Sequence, residues 1–171
     1  GYIVSWCVGH LIQMANPDKY DDKYKKWTIK DLPIIPNEYK YEVSKNTKKQ
    51  YEVLKKLLND KSVSVVINAC DAGREGELIF RLVYEQTKCK KKIQRLWISS
   101  MEDQAIRDGF KKLKDSQDLE TLYASAQARA IADWLVGMNL SRLYSCLYQE
   151  TYSVGRVQTP TLYLIAKRDS E

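Results

Sequence analysis

The chain has few of the residues that build closed metal cages or covalent frameworks. Its 171 residues hold one histidine, His10, and four cysteines. Cys7, Cys70, Cys89 and Cys146 lie far apart and form no CxxC pair, which argues against a structural zinc site. Cys70 closes an apolar strand run, where a reduced, buried thiol is expected, and the pattern fits a reducing cytoplasm. No apolar run approaches the length of a membrane span, and no signal peptide is visible. Internal repeats and low-complexity tracts are absent as well. The reading therefore turns away from zinc modules, secreted disulfide scaffolds and helical membrane proteins.

What is present suits a surface-rich domain. Hydrophobic residues make up 44% of the chain, enough for one core or one core plus a fragment of another. Charged residues reach 29%, and mean hydropathy is −0.50. The net charge of +6 fits a polyanionic partner, although many ordinary basic proteins share it.

Periodicity divides the chain in two. Tyr2 to Val8 is β-branched and aromatic and reads as a strand. Asn16 to Lys40 carries three prolines and much charge and reads as a long connection. A helix follows from about Asn46 to Asn59, with Tyr51, Leu54, Leu57 and Leu58 as its apolar stripe. Strand Val63–Ala69, helix Glu75–Thr87 and strand Ile93–Ile98 then make a βαβ unit with a parallel sheet. Ser99 and Glu102 have capping-box spacing for a helix running to Leu113. Residues 114–118 read as a linker. Beyond it the strand signal stops, and Leu119 to Leu147 is helical and alanine-rich. Thr159-Pro160 reads as an N-cap followed by proline at the first position of a last helix.

The chemistry concentrates in Asp71-Ala72-Gly73-Arg74-Glu75-Gly76-Glu77, between the Val63–Ala69 strand and the next helix. A carboxylate at a strand's C-terminal end, with more acids on the following turn, is how α/β folds hold a divalent metal beside a phosphate. The two glycines allow close backbone approach, and the helix N-terminus favours an anion. Asp71 and Glu75 are the candidate metal ligands. A strand-end aspartate that only caps the next helix would look the same. Arg74 could neutralise these acids or grip a phosphate with its planar fork. Glu77 reads as an acid behind the ligands or as a solvated helix residue.

This run resembles the acidic signature of the Toprim fold, in the form found in type IA DNA topoisomerases and with the wording of the bacterial topoisomerase III group. Gly9-His10-Leu11, Arg95 to Ser100, Tyr123 to Arg129 and Ser153 to Pro160 (SVGRVQTP) resemble further blocks of that family, in the family's order. Together they span nearly the whole chain. The resemblance implies an α/β Toprim domain, Rossmann-like with a mostly parallel sheet flanked by helices, over residues 1–116. A partial all-α DNA-binding domain would occupy residues 117–171. It further implies Mg2+ as cofactor, single-stranded DNA as partner, the remaining topoisomerase domains as neighbours in a longer chain, and a cytoplasmic location without membrane association.

Two family features have no counterpart. No first strand with a Lys and a Glu precedes Gly1, and none of the 12 tyrosines stands in a Tyr-x-Arg-Thr motif. The chain thus reads as a piece shortened at both ends that does not cut DNA by itself. Many type IA enzymes also carry Asp where this chain has Gly73, which implies weak metal binding.

The resemblance assigns DNA contacts to Ser153, Val154, Gly155, Arg156, Val157, Gln158 and Thr159, a segment that is otherwise a helix-start loop with one exposed arginine. Arg129 and Asp133 would line the groove for the strand. Their spacing equally suits an intrahelical ion pair. His10 is carried as a further DNA neighbour by the Gly9-His10-Leu11 match. Lys88, Lys90, Lys91 and Lys92 read as a solvated turn, with nonspecific DNA attraction as the other use. The alternatives are a catalytically silent binding module or another Toprim enzyme, a primase or nuclease. The GRVQTP wording at Gly155–Pro160 speaks against the last.

Overall fold

In the computed structural model, which describes residues 1–171, the motif-bearing strand lies in a three-stranded sheet. Strand β3 (Val65–Asn68) pairs in parallel with β4 (Lys92–Arg95), and Asn68 stands opposite Arg95. Helix α2 (Arg74–Gln86) connects them, so the expected βαβ unit is present. A two-residue strand, β5 (Lys114–Asp115), adds to β4 in antiparallel register, and the sheet is mixed. Residues 114–118 are therefore no linker: they supply β5 and the start of a 3-10 turn, Ser116–Leu119.

The remaining elements are short until the last third of the chain. Strands β1 (Ile12–Met14) and β2 (Tyr41–Val43) form a two-stranded sheet, and α1 (Lys48–Leu58) follows. All four residues of the expected α1 stripe are at least partly covered, and Tyr51 and Leu58 are buried. Helix α3 spans Asp103–Lys111, α4 Glu120–Tyr148 and α5 Gln158–Ser170. No helix is long and apolar enough to cross a membrane.

The chain folds into two compact units, residues 1–13 with 42–127, and residues 14–41 with 128–171. The first unit buries Tyr51, Leu58, Leu78, Leu82, Val83 and Leu96 around its sheet. The second centres on Trp134, whose indole nitrogen donates to the Ala15 carbonyl at 3.1 Å while Tyr20 and Tyr39 meet its ring edge-on. Asn139 clamps the Ile34 backbone in both directions: Ile34 N–H donates to its Oδ1 at 2.6 Å, and its Nδ2 donates to the Ile34 carbonyl at 3.0 Å. The proline-rich connection is thus three short 3-10 turns pinned at defined points.

Several local expectations give way. Tyr2 to Val8 joins no ladder and leaves Tyr2, Ile3, Val4 and Trp6 exposed. Its β propensity has no paired edge to act on. Cys70 is only half-buried, against the Cys7 thiol, and their mutual hydrogen bond pushes Cys7 far up and Cys70 down. All four cysteines are free. The capping box of α3 does not close, because Ser100 Oγ accepts from Glu102 N–H at 3.3 Å and no side chain caps the helix. Helix α5 starts at Gln158, so Thr159 and Pro160 lie inside its first turn. Of the lysine cluster, Lys88 occupies a left-handed turn position and Lys91 reaches the Asp60 carbonyl.

Candidate metal and nucleic-acid sites

A buried carboxylate builds the turn that carries the acids. Glu77 lies on the first turn of α2 and is 1% exposed. It receives Asn68 Nδ2 at 3.0 Å and Arg81 Nε at 2.9 Å, and Arg95 Nε stands 3.3 Å away as an ion pair. Arg95 then reaches across the sheet end. Its Nη1 donates to the carbonyls of Asn68, Cys70 and Leu96, and its Nη2 to that of Asp71. One guanidinium thus collects the outgoing carbonyls of β3 and fixes the path from Asn68 to Asp71. Glu77 is neither solvated nor available as a ligand, which corrects the reading of it as an exposed helix residue.

The two arginines on Glu77 respond differently. Burial would lower Arg81, but bonds to Glu77 and Glu120 hold it above its ordinary value. Burial lowers Arg95, and Glu77 only partly offsets this. Both stay charged, since arginine pKa values lie far above neutrality.

The two motif glycines differ in kind. A Cβ on Gly76 would stand 2.2 Å from the Asp71 carbonyl oxygen and 2.7 Å from its nitrogen, so α2 packs directly on the Asp71 backbone. Gly73 is fully extended and a Cβ there would meet nothing. Close approach is a property of Gly76 alone.

On this frame Asp71, Arg74 and Glu75 are exposed. The Asp71 carboxylate and the Arg74 guanidinium bond to no other side chain, while Glu75 Oε1 meets His10 Nε2. Gly9, with φ +62, turns the chain just before His10. No three His, Cys, Asp or Glu side chains gather as a metal cage. The donor set fits an ion that keeps most of its water and takes one or two carboxylates, as magnesium does.

In the second unit the loop after α4 is anchored by its own polar residues. Val154 N–H donates to Ser141 Oγ at 2.9 Å, Gly155 N–H to Thr159 Oγ1 at 3.1 Å, and Gln158 Nε2 to Ser153 Oγ at 2.8 Å. The Arg156 fork grips Asp133, Nε at 2.5 Å from Oδ1 and Nη2 at 3.3 Å from Oδ2. Asp133 and Arg129 are 3.9 Å apart, so the expected intrahelical pair is the weaker of the two. The Arg156 hydrogen bond holds the Asp133 carboxyl below its usual range. Arg156 is thus a half-neutralised, oriented cation. Arg129, Arg156 and Asp133 leave one net positive charge beside exposed Ala128 and Ala132.

Residues 1–101 match the family model of the Toprim domain, and residues 117–171 match that of DNA topoisomerase. The chain belongs to the Toprim family. Over 170 residues it is 50% identical to DNA topoisomerase 3 of Bacillus licheniformis and 49% identical to that of Staphylococcus haemolyticus. The Bacillus subtilis protein of the same name is 48% identical. Each alignment takes in 99% of this chain but only 23–24% of the relative, so the chain spans about a quarter of their length. The Toprim assignment agrees with the α/β unit around β3, α2 and β4, and the second match falls on the helical segment.

Proposed function

We propose that this chain is the metal- and strand-holding portion of a type IA DNA topoisomerase, which cleaves one DNA strand through a 5′-phosphotyrosyl link, passes a strand and reseals. The observation that carries this reading is the turn between β3 and α2. Its frame is saturated by Glu77 and Arg95, while Asp71 and Arg74 are left without side-chain partners.

Asp71 and Glu75 would hold magnesium, which when bound supplies positive charge against the phosphate. Arg74, fixed at the first position of α2, would hold a phosphate oxygen. His10 orients Glu75 through its ring nitrogen. The segment Ser153–Thr159 would place the strand, using the Arg156 fork and the free backbone N–H groups of Arg156 and Val157 at the start of α5. Such contacts address phosphate and sugar, so binding would be nearly independent of sequence. The nucleophilic tyrosine and the first-strand glutamate would come from other parts of a longer protein. Exposed Leu162, Leu164 and Ile165 on α5 offer those parts an apolar surface.

Adding this chain to negatively supercoiled plasmid with magnesium should leave the plasmid supercoiled, because no tyrosine here has the nucleophile's context. Relaxation by purified protein would overturn that. A fluorescent dT oligonucleotide should bind more tightly than a duplex of equal length, with affinity falling steeply as salt rises. Equal binding of both, or none, would remove the strand-holding role.

A further inference from the structure

Within the second unit, a cavity of about 670 Å³ opens between α4 and the 3-10 turns that precede β2. This volume lies within the ~300–1,000 Å³ range of small-ligand pockets. Tyr24, Lys25, Trp27, Arg142, Tyr152 and Ser153 are among its lining residues. Trp27 also borders a second hollow of about 490 Å³.

Arg142 is the unusual member. It is 7% exposed, yet its guanidinium makes one protein hydrogen bond, Nη1 to the Tyr24 carbonyl at 2.9 Å. Its Nε is buried without a partner, and no carboxylate comes within ion-pair distance. Its cationic face lies against Trp27, 5.2 Å from the ring centroid. A buried guanidinium normally saturates its five donors or pairs with a carboxylate. Here Nη2 makes no protein hydrogen bond, and the residue lines the cavity. Burial lowers the Arg142 pKa, with Asp18 only partly opposing at longer range.

We propose that this cavity takes one nucleotide of a single-stranded DNA, its phosphate on the Arg142 guanidinium and its base against the Trp27 ring. The inference rests on the strand-holding role proposed for this chain. The occupant is argued from three features. The unspent donors call for an anionic oxygen. Tyr24, Trp27 and Tyr152 offer flat apolar surface for a base. Ser153 and Val154 begin the loop that carries Arg156 and also line the cavity, so a strand on that loop reaches it without a break. Lys25 at the wall is paired with Asp22 at 2.7 Å, and the Asp18 carboxylate also lines the cavity, so the cation left for a phosphate is Arg142.

The test uses a dT oligonucleotide with 5-iododeoxyuridine at single positions, photo-crosslinked to the chain and mapped by mass spectrometry. Crosslinks should fall on the peptides holding Tyr24, Trp27 or Tyr152. Arg142→Met, similar in length and without charge, should weaken oligonucleotide binding by roughly tenfold or more while leaving the urea midpoint nearly unchanged. Met138→Trp, which narrows the cavity from α4, should remove the crosslinks and weaken binding even if Arg142→Met fails to fold. Binding that persists in both variants, with crosslinks only near Arg129 and Arg156, would overturn this inference and leave the strand-holding role standing. Absence of any oligonucleotide binding would overturn both. Inorganic phosphate that raises the melting temperature through Arg142 without crosslinked oligonucleotide would show a free-anion site and overturn the nucleotide assignment.

Discussion

Arg95 and Arg142 are both more than nine-tenths buried, and the chain treats them in opposite ways. Arg95 gives four hydrogen bonds to carbonyls and pairs with Glu77, in a network that also holds Asn68, Arg81, Ser116 and Glu120. Arg142 gives one hydrogen bond and has an aromatic neighbour. Arg95 Nε, like Arg142 Nε, makes no hydrogen bond, but it has the Glu77 carboxylate 3.3 Å away and both terminal nitrogens spent on carbonyls, and a buried charge paired in this way shapes backbone. An unsaturated one keeps donors available, and this is the difference between a frame and a candidate binding surface.

The largest effect should follow from breaking the saturated side. Glu77→Ala strands Arg81 and Arg95 without their shared carboxylate and should cost about 3–5 kcal/mol, read from urea unfolding. A loss below about 1 kcal/mol would mean that water replaces Glu77 and the network is not a frame. Gly76→Ala comes next. Its Cβ would press on the Asp71 backbone, and strain should cost about 1–3 kcal/mol. Gly73→Ala, one turn earlier in open space, should fall within about 0.5 kcal/mol in the same assay.

The unsaturated side should respond weakly in stability. Arg142→Met should change it by no more than about 1 kcal/mol in either direction, because little hydrogen bonding is lost and the charge need no longer be buried. A loss near that of Glu77→Ala would place Arg142 in a frame as well. Smaller still is the Asp133–Arg156 pair, which is largely exposed. Because pairing depresses the Asp133 pKa, its contribution is present above the ordinary carboxylate range and fades as pH falls through the depressed value. NMR titration of the Arg156 Nε–H signal should show it moving only in acid, and Asp133→Asn should abolish that movement.

The β3–α2–β4 unit was legible because an apolar run, a glycine-punctuated acidic turn and an amphipathic helix each point to the same element. That Asp71, Arg74 and Glu75 share this turn was legible for the same reason, and all three are exposed there, while their roles toward metal and phosphate are proposals. Glu77 was legible only in part: it read either as an acid behind the ligands or as a solvated helix residue, and it is buried. Its only signals were Arg81 four residues on and Arg95 opposite Asn68, and the second needs the strand register to be known. Tyr2 to Val8 read as a strand because propensity says nothing of whether a partner edge exists. The short β5 hid within charged residues, and two residues carry no periodicity. The Arg156–Asp133 fork joins residues 23 apart and left no local mark, so the nearer Arg129 stood in its place.

Gly73→Asp offers a way to sharpen the metal reading. The position is open to solvent and free of clash, so a third carboxylate should tighten magnesium binding without loss of fold, by roughly tenfold. The most direct measurement is a manganese titration followed by NMR, with the ion standing in for magnesium as an oxygen-seeking paramagnetic probe. Amide signals of Cys70 to Gly76, with that of His10, should broaden first at low millimolar manganese, and Asp71→Ala should erase this while the rest of the spectrum stays in place. Broadening centred on Asp18 to Asp22, or unchanged in Asp71→Ala, would contradict the assignment of the β3–α2 turn as the metal-holding site.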